Sequence, residues 1–327
     1  MKILFVTLSN IGDVILTLPG LDLVREAFPG AEITVLSSPR ASGIFTGNPS
    51  ISRFIAYNKH VSLAEDIRLF LLLQRERFDL VIDLRGTLFG LLLGKKRINN
   101  FFGPRPASRH FAARHLYKVR YGLLRNFPGL RLVEGMPKPA SLAANLQDER
   151  YIDQLLRETG LEPGKFVVVS PGARSSLKRW PAESFSVCVT RLSEEYGLRS
   201  VLVGEKEDAP ACLATGAKAA DFCGKTSMAQ LACLLKKSRL LLTNDSANLH
   251  CAGYFGVPAV AIFGPTDEKA YGPWEGRGIA VTVPAACRPC MRAQCVFPRR
   301  ACMEDVSVES VMQAARKLLT GTLPMLY

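Results

Sequence analysis

The chain has 327 residues, 48% hydrophobic and 22% charged, which is enough to build two domains with sizeable cores and excludes disorder as the main state. Its 42 Lys and Arg against 29 Asp and Glu leave a net charge of +13, which favours an anionic partner. The greasiest runs, 69–73 and 88–93, fall well short of the roughly 18 apolar residues of a membrane span.

Taken in chain order, apolar runs alternate with helical patterns. Residues 3–8 read as a first strand. They lead into Asn10, Gly12 and Asp13 with no small-residue cleavage site, so a cytoplasmic location is expected. A helical pattern over 14–28 follows, bent or broken by Pro19. Then come a strand over 32–36, a helix over 67–78 and a strand over 80–84. This order calls for parallel pairing. Between 84 and 133 there is no acid and there are eleven Lys and Arg. The Pro-rich stretch 99–139 is expected to project from the sheet, partly helical over 110–126. Phe101, Phe102, Phe111, Tyr117 and Tyr121 interleave with its cations. That composition suits nucleic acid, an anionic membrane surface or a solvated basic face.

A helix over 141–158 and the punctuation at 160–164 place a domain junction near Gly160. The second α/β pattern has strands over 167–170, 200–204, 240–243 and 259–263. Its helices are expected over 182–196, 228–237, 247–255 and 307–319. The fold class is thus α/β, with two doubly wound Rossmann-like domains in tandem, 1–160 and 161–327, facing across a cleft.

Four loops at strand ends carry chemistry. In Ser9-Asn10-Ile11-Gly12-Asp13, Gly12 permits close backbone approach, and Asp13 is either a helix N-cap or a general base. Ser170-Pro171-Gly172-Ala173-Arg174, followed by Lys178, is a diphosphate cradle or a solvated basic loop. In Thr243-Asn244-Asp245-Ser246-Ala247-Asn248-Leu249-His250, Asp245 and Ser246 open a helix, where backbone N–H groups bind phosphate or are capped. His250 lies near that end or in the core. Phe263-Gly264-Pro265-Thr266-Asp267 closes the next strand. No Gly-x-Ser-x-Gly elbow supports a hydrolase triad.

Cys188, Cys212, Cys223, Cys233 and Cys251 lie in apolar contexts, as in a reducing compartment. Cys287, Cys290, Cys295 and Cys302 fall within sixteen residues and are a candidate structural zinc site. A buried reduced cluster and disulfides are the alternatives.

Together these loops resemble glycosyltransferase family 9, the bacterial heptosyltransferases, almost end to end. The residues that carry the resemblance are Leu8-Ser9-Asn10-Ile11-Gly12-Asp13-Val14, Leu18-Pro19 and Phe28-Pro29, then Ser170-Pro171-Gly172-Ala173 with Lys178-Arg179-Trp180-Pro181. Further on they are Thr243-Asn244-Asp245-Ser246, His250, Gly256-Val257-Pro258 and Phe263-Gly264-Pro265-Thr266-Asp267. The four cysteines ending in Cys302-Met303 resemble a subset of the family designated lipopolysaccharide heptosyltransferase II.

The resemblance implies a fold of the glycosyltransferase B type without a catalytic metal. It implies inverting transfer of L-glycero-D-manno-heptose from ADP-heptose to the inner core of lipopolysaccharide. By position, Asp13 would be the base and Lys178 would neutralise the leaving diphosphate. The donor would be held by Gly12, Gly172, Ala173, Arg174, Asp245, Ser246, Ala247 and His250. Asp208 (or Glu207) would take the ribose, and Thr226 would lie near the base. Ala247 stands where the family has Gly, and Arg174 where it has a small hydroxyl residue. Residues 1–160 would bind the acceptor, a Kdo-containing lipid A core at the inner face of the membrane. Residues 161–327 would bind the nucleotide sugar. No nucleic-acid partner is expected. A UDP-sugar epimerase, a family member with another donor or acceptor, and a degenerate basic membrane- or nucleic-acid-binding protein are the rival readings.

Overall fold

The computed structural model describes residues 1–58, 62–99, 104, 106–208, 218–274 and 276–321. The chain divides into two compact units, Met1–Ala143 and Ala144–Tyr327. The division lies earlier than Gly160 because the helix before that glycine packs within the second unit.

The first unit runs β1 (Lys2–Val6), α1 (Ile11–Ile15), α2 (Leu18–Ala27), β2 (Glu32–Ser37), α3 (Ser42–Phe45), β3 (Arg53–Ala56), α4 (Leu63–Arg75), β4 (Leu80–Asp83), α5 (Phe89–Leu92), β5 (Lys96–Asn99) and α6 (Phe111–Asn126). All strands are parallel, in the order β3-β2-β1-β4-β5. The central strand Lys-Ile-Leu-Phe-Val is apolar because both its faces are covered, as a parallel sheet requires. The helical pattern around Pro19 resolves into two helices. Pro19 sits in the first turn of α2, where its missing N–H costs nothing.

Over its described helix, the basic segment does not project. α6 packs against α2 and β5. A Cβ on Gly20 would lie 2.9 Å from Val119 Cγ2, and one on Gly122 would lie 2.5 Å from Ile98 Cγ2. These glycines let the helix approach its neighbours closely. Phe101 and Phe102 lie outside the described residues.

The second unit runs α7 (Leu146–Thr159), β6 (Phe166–Ser170), α8 (Ala182–Tyr196), β7 (Arg199–Leu202), β8 (Ala219–Asp221), α9 (Met228–Lys237), β9 (Leu240–Asn244), α10 (Ala247–Phe255), β10 (Ala259–Ile262), α11 (Glu268–Tyr271), β11 (Gly278–Val281), α12 (Ala301–Glu304) and α13 (Val308–Leu319). Its parallel sheet has the order β11-β10-β9-β6-β7-β8. α7 starts at Asn145, whose carboxamide and Asp148 form a reciprocal cap. It ends at Gly160 in the left-handed conformation (φ 62°) and packs on α9. β6 is buried at all five residues. Burial of each Val or Phe contributes roughly 1.5–3 kcal/mol. Val167, Val169, Trp180, Phe185 and Met303 share one core with Val311 and Met312 of α13.

Candidate active site

In a doubly wound sheet, ligands bind beyond the carboxyl ends of the strands, where the strand order reverses. In the second unit the reversal lies between β6 and β9, which are neighbours although two strands (β7, β8) and two helices (α8, α9) of the described residues separate them in sequence. The loop after β6 carries Gly172 through Lys178, and β9 ends at Asn244 before Asp245.

These two loops meet there. Lys178 Nζ donates to Asp245 Oδ2 at 2.6 Å, with the lysine side chain 33% exposed and the aspartate 5%. Asn244, fully buried, holds the loops together. Its Nδ2 donates to Pro171 O at 2.7 Å, and its Oδ1 accepts from the Trp180 N–H at 3.1 Å. Asn248 adds a third tie, from Nδ2 to Ser170 Oγ at 2.9 Å. Neither asparagine was singled out from sequence, where an Asn at a strand end reads as a cap or turn.

Ser246 occupies the N-cap position of α10, but its hydroxyl pairs with Thr243 Oγ1 at 3.1 Å and makes no capping bond. The helix N-terminus, opening at Ala247, is left without a side-chain cap beside a cation, which is the electrostatic setting for an anion. His250, one turn in, is 4% exposed and lies against the Tyr271 ring at 6.5 Å. It belongs to the packed interior. Arg174 is exposed.

Asp208 follows β7, and its side chain is 6% exposed. Oδ2 accepts from the Glu205 N–H at 2.9 Å, and Arg179 Nη2 lies 3.8 Å from Oδ1. Gly172 leaves room for the carboxylate here, since a Cβ would lie 2.0 Å from Asp208 Oδ2 and one of the two would have to shift. Asp208 thus abuts the loop after β6, while Glu207 is exposed beside it. Both line a pocket of about 290 Å³ with Pro171, Arg179, Trp180 and Arg300. Thr226 is half-buried in the loop before α9, and the Gly224 N–H of that loop donates to Gly204 O at 2.8 Å. The loops bearing Thr226 and Asp208 are therefore tied together.

In the first unit the strand order reverses between β1 and β4. Gly12 and Asp13 follow β1 and are half-buried. Asp13 is not the N-cap of α1. Asn10 holds that position, and its Nδ2 donates to Asp13 Oδ2 at 2.9 Å. The second oxygen of Asp13 is not engaged by that bond, and the carboxylate stands at the site-forming end of the sheet.

Cys287, Cys290 and Cys302 are half-buried and Cys295 is exposed, all as free thiols. Burial, then the three neighbouring cysteines, push the Cys302 thiol up. Among the described residues no group of three or more His, Cys, Asp or Glu side chains is placed to hold a metal ion. The expected structural zinc is therefore unconfirmed. The segment is pinned to the loop after β10. Arg288 Nε donates to Gly264 O at 2.7 Å, and the Met291 N–H donates to Pro265 O at 2.9 Å. Cys188, Cys223, Cys233 and Cys251 are buried and form no disulfide, and Cys212 lies outside the described residues.

The family model for glycosyltransferase family 9 (heptosyltransferase) matches residues 67–300. The chain belongs to this family. Among curated relatives of this glycosyltransferase, lipooligosaccharide heptosyltransferase 2 of Campylobacter jejuni is 26% identical over 335 residues, covering 98% of this chain and 99% of that protein. Among solved structures, the family 9 glycosyltransferase from Veillonella parvula superposes with a TM-score of 0.78 at 21% identity, covering 98% and 97% of the two chains. The E. coli heptosyltransferase WaaC with ADP-2-deoxy-2-fluoro heptose has a TM-score of 0.71 at 18% identity, covering 97% and 99%. The two parallel sheets are those of the glycosyltransferase B type.

Proposed function

We propose that this family 9 enzyme transfers L-glycero-D-manno-heptose from ADP-heptose to the inner core of lipopolysaccharide, with inversion, at the cytoplasmic face of the membrane. The observation that carries the reading is the meeting of Lys178, Asp245 and the α10 N-terminus at the strand-order reversal of the second unit. Family membership and the curated relative's name support the sugar and the acceptor class.

In this reading the acceptor hydroxyl attacks the anomeric carbon as the bond to the diphosphate oxygen breaks. Asp13 takes the hydroxyl proton, and ADP leaves. Lys178 and the N–H groups at Ser246 and Ala247 carry the negative charge that develops on the diphosphate, and Gly172 and Ala173 let backbone approach it. Donor binding competes with the Lys178–Asp245 pair, so the ammonium turns from the carboxylate to the phosphates. Asp208 or Glu207 takes the ribose, with Thr226 near the base. Arg174, exposed on the same loop, supplies a further cation, and His250 supports α10 from within.

Competition binding tests the donor. ADP and ADP-heptose should displace a labelled ADP probe, while UDP, UDP-sugars and GDP-sugars should not. Equal displacement by UDP-sugars would overturn the assignment and favour a UDP-sugar enzyme on the same fold.

A further inference from the structure

The turn that carries Lys178 is held from outside its own loop. Ser176–Lys178 is a single 3₁₀ turn of three residues, opened by the Ser175 hydroxyl, which accepts from the Leu177 N–H at 3.3 Å. Hydrogen bonds in such a turn have poorer geometry than those of an α-helix, so it relies on its surroundings. The carbonyls of Ser176 and Arg179 bracket Lys178, and both accept from Arg300 Nη1, the second at 3.3 Å. Arg300 stands at the N-cap of α12, where its Nε donates to Glu304 Oε1 at 3.3 Å. One edge of the guanidinium is thus oriented by a carboxylate, while Nη1 grips the turn. The platform is firm. Met303 of α12 is fully buried, and Trp180 Nε1, just past the turn, donates to Val306 O at 3.0 Å. Through Arg288 and Met291 the cysteine-bearing segment is also bound to the loop after β10. It therefore braces two loops at the carboxyl edge of one sheet.

We propose that Arg300 is a positioning residue for departure of the diphosphate, fixing the backbone from which Lys178 reaches the leaving group. The inference rests on the leaving-group role proposed for Lys178. A lysine carries its charge on a flexible four-carbon stem, so the ammonium is only as well placed as the backbone beneath it. Asp245 steadies it at 2.6 Å. In the proposed reaction the ammonium turns from Asp245 to the phosphates, and the turn must then hold its place. A fixed charge stabilises the transition state because it needs no reorganisation as the bond breaks. Loosening the turn therefore acts on the rate more than on donor binding, which the α10 N–H groups and Asp208 still support. Arg300 also lines the pocket that holds Glu207 and Asp208. Direct contact with the donor is thus the competing role, and it would show as weaker donor binding.

The test is a double-mutant cycle on heptose transfer, with the full chain as wild type, Arg300→Met, Lys178→Met and the double variant. Arg300→Met should lower kcat about tenfold or more and leave KM for ADP-heptose within about twofold. In the Lys178→Met background it should lower kcat no further, because both residues act through one ammonium. Glu304→Gln frees the orienting edge of the guanidinium without touching the turn. It should lower kcat by a smaller factor with the same lack of additivity, and it serves as the probe should Arg300→Met not fold. An additive loss in either cycle would overturn the proposal. So would a raised KM with kcat kept, which is the signature of direct donor contact, or an Arg300→Met enzyme as fast as the wild type. The two readings fail separately. A Lys178→Met enzyme at the wild-type rate would sink the leaving-group role and this inference with it. A slow Lys178→Met enzyme with an additive cycle would sink the Arg300 inference alone.

Discussion

Replacing Lys178 with Met separates what the Lys178–Asp245 pair does for the fold from what it does for the diphosphate. The substitution keeps most of the side-chain volume and removes the charge that faces Asp245 at 2.6 Å. Removing one partner of a fully buried pair costs about 3–5 kcal/mol, because the other charge is left uncompensated. An exposed pair is worth about 0–1 kcal/mol. Asp245 is 5% exposed but Lys178 is 33% exposed, so the cost falls between these limits, at about 2 kcal/mol. Urea denaturation should show that loss in Lys178→Met and recover most of it in Lys178→Met/Asp245→Asn, where no charge is stranded. Transfer should behave differently. Both variants lack the cation at the leaving group, and removing one such donor from a transition state costs about a hundredfold or more in kcat. If the double variant regained activity along with stability, the lysine would be structural and the leaving-group argument would be wrong.

Three further outcomes follow from the geometry. Asn244→Ala leaves Pro171 O and the Trp180 N–H without their side-chain partner, which should cost about 2–4 kcal/mol in denaturation and raise KM for the donor more than it lowers kcat. Gly172→Ala drives a methyl group against the Asp208 carboxylate. It should cost about 1–3 kcal/mol and weaken nucleotide binding in calorimetry, whereas a wild-type affinity would show that Asp208 is not part of the donor site. His115 is buried, and neither ring nitrogen has a hydrogen-bond partner among the described residues. Burial, then the Lys118 and Arg114 charges, push its pKa down to about 3, so the folded state keeps the ring neutral. Its contribution is complete above the unfolded value near 6.5 and is lost as pH falls toward 3, at up to about 1.4 kcal/mol per pH unit. His115→Leu should therefore flatten the loss of stability between pH 6.5 and 5 by about 2 kcal/mol, and an unchanged slope would refute the neutral-ring assignment.

The sequence was most legible where burial is complete. β1, β6, β9 and β10 are continuous apolar runs because helices cover both their faces, and α8, α9 and α10 begin and end where their pattern does. The edge strands β3, β5, β8 and β11 were invisible. Each is three or four residues long and half exposed, so Arg-Phe-Ile-Ala or Lys-Arg-Ile-Asn carries no apolar run to read. The composition of the basic segment suggested a projection, but Gly20 and Gly122 seat α6 against α2 and β5, and a glycine's role in close packing has no one-residue signature. At the site, residue types at strand ends pointed to Lys178 and Asp245, and the family resemblance to Asp208 or Glu207. The pairing of Lys178 with Asp245 and the clamp by Asn244 could not be read, because they join loops more than sixty residues apart. The cysteine spacing suggested a metal, which the arrangement of the described residues leaves unconfirmed.

The most direct test of the account is the mass of the acceptor. Purified enzyme is incubated with ADP-heptose and a panel of truncated lipopolysaccharide cores, alongside the variant Asp13→Asn. The account predicts a gain of one heptose on one acceptor by the wild type. It also predicts a loss of at least a hundredfold in that rate for Asp13→Asn, with ADP binding unchanged. No gain on any acceptor, or a variant as fast as the wild type, would contradict it.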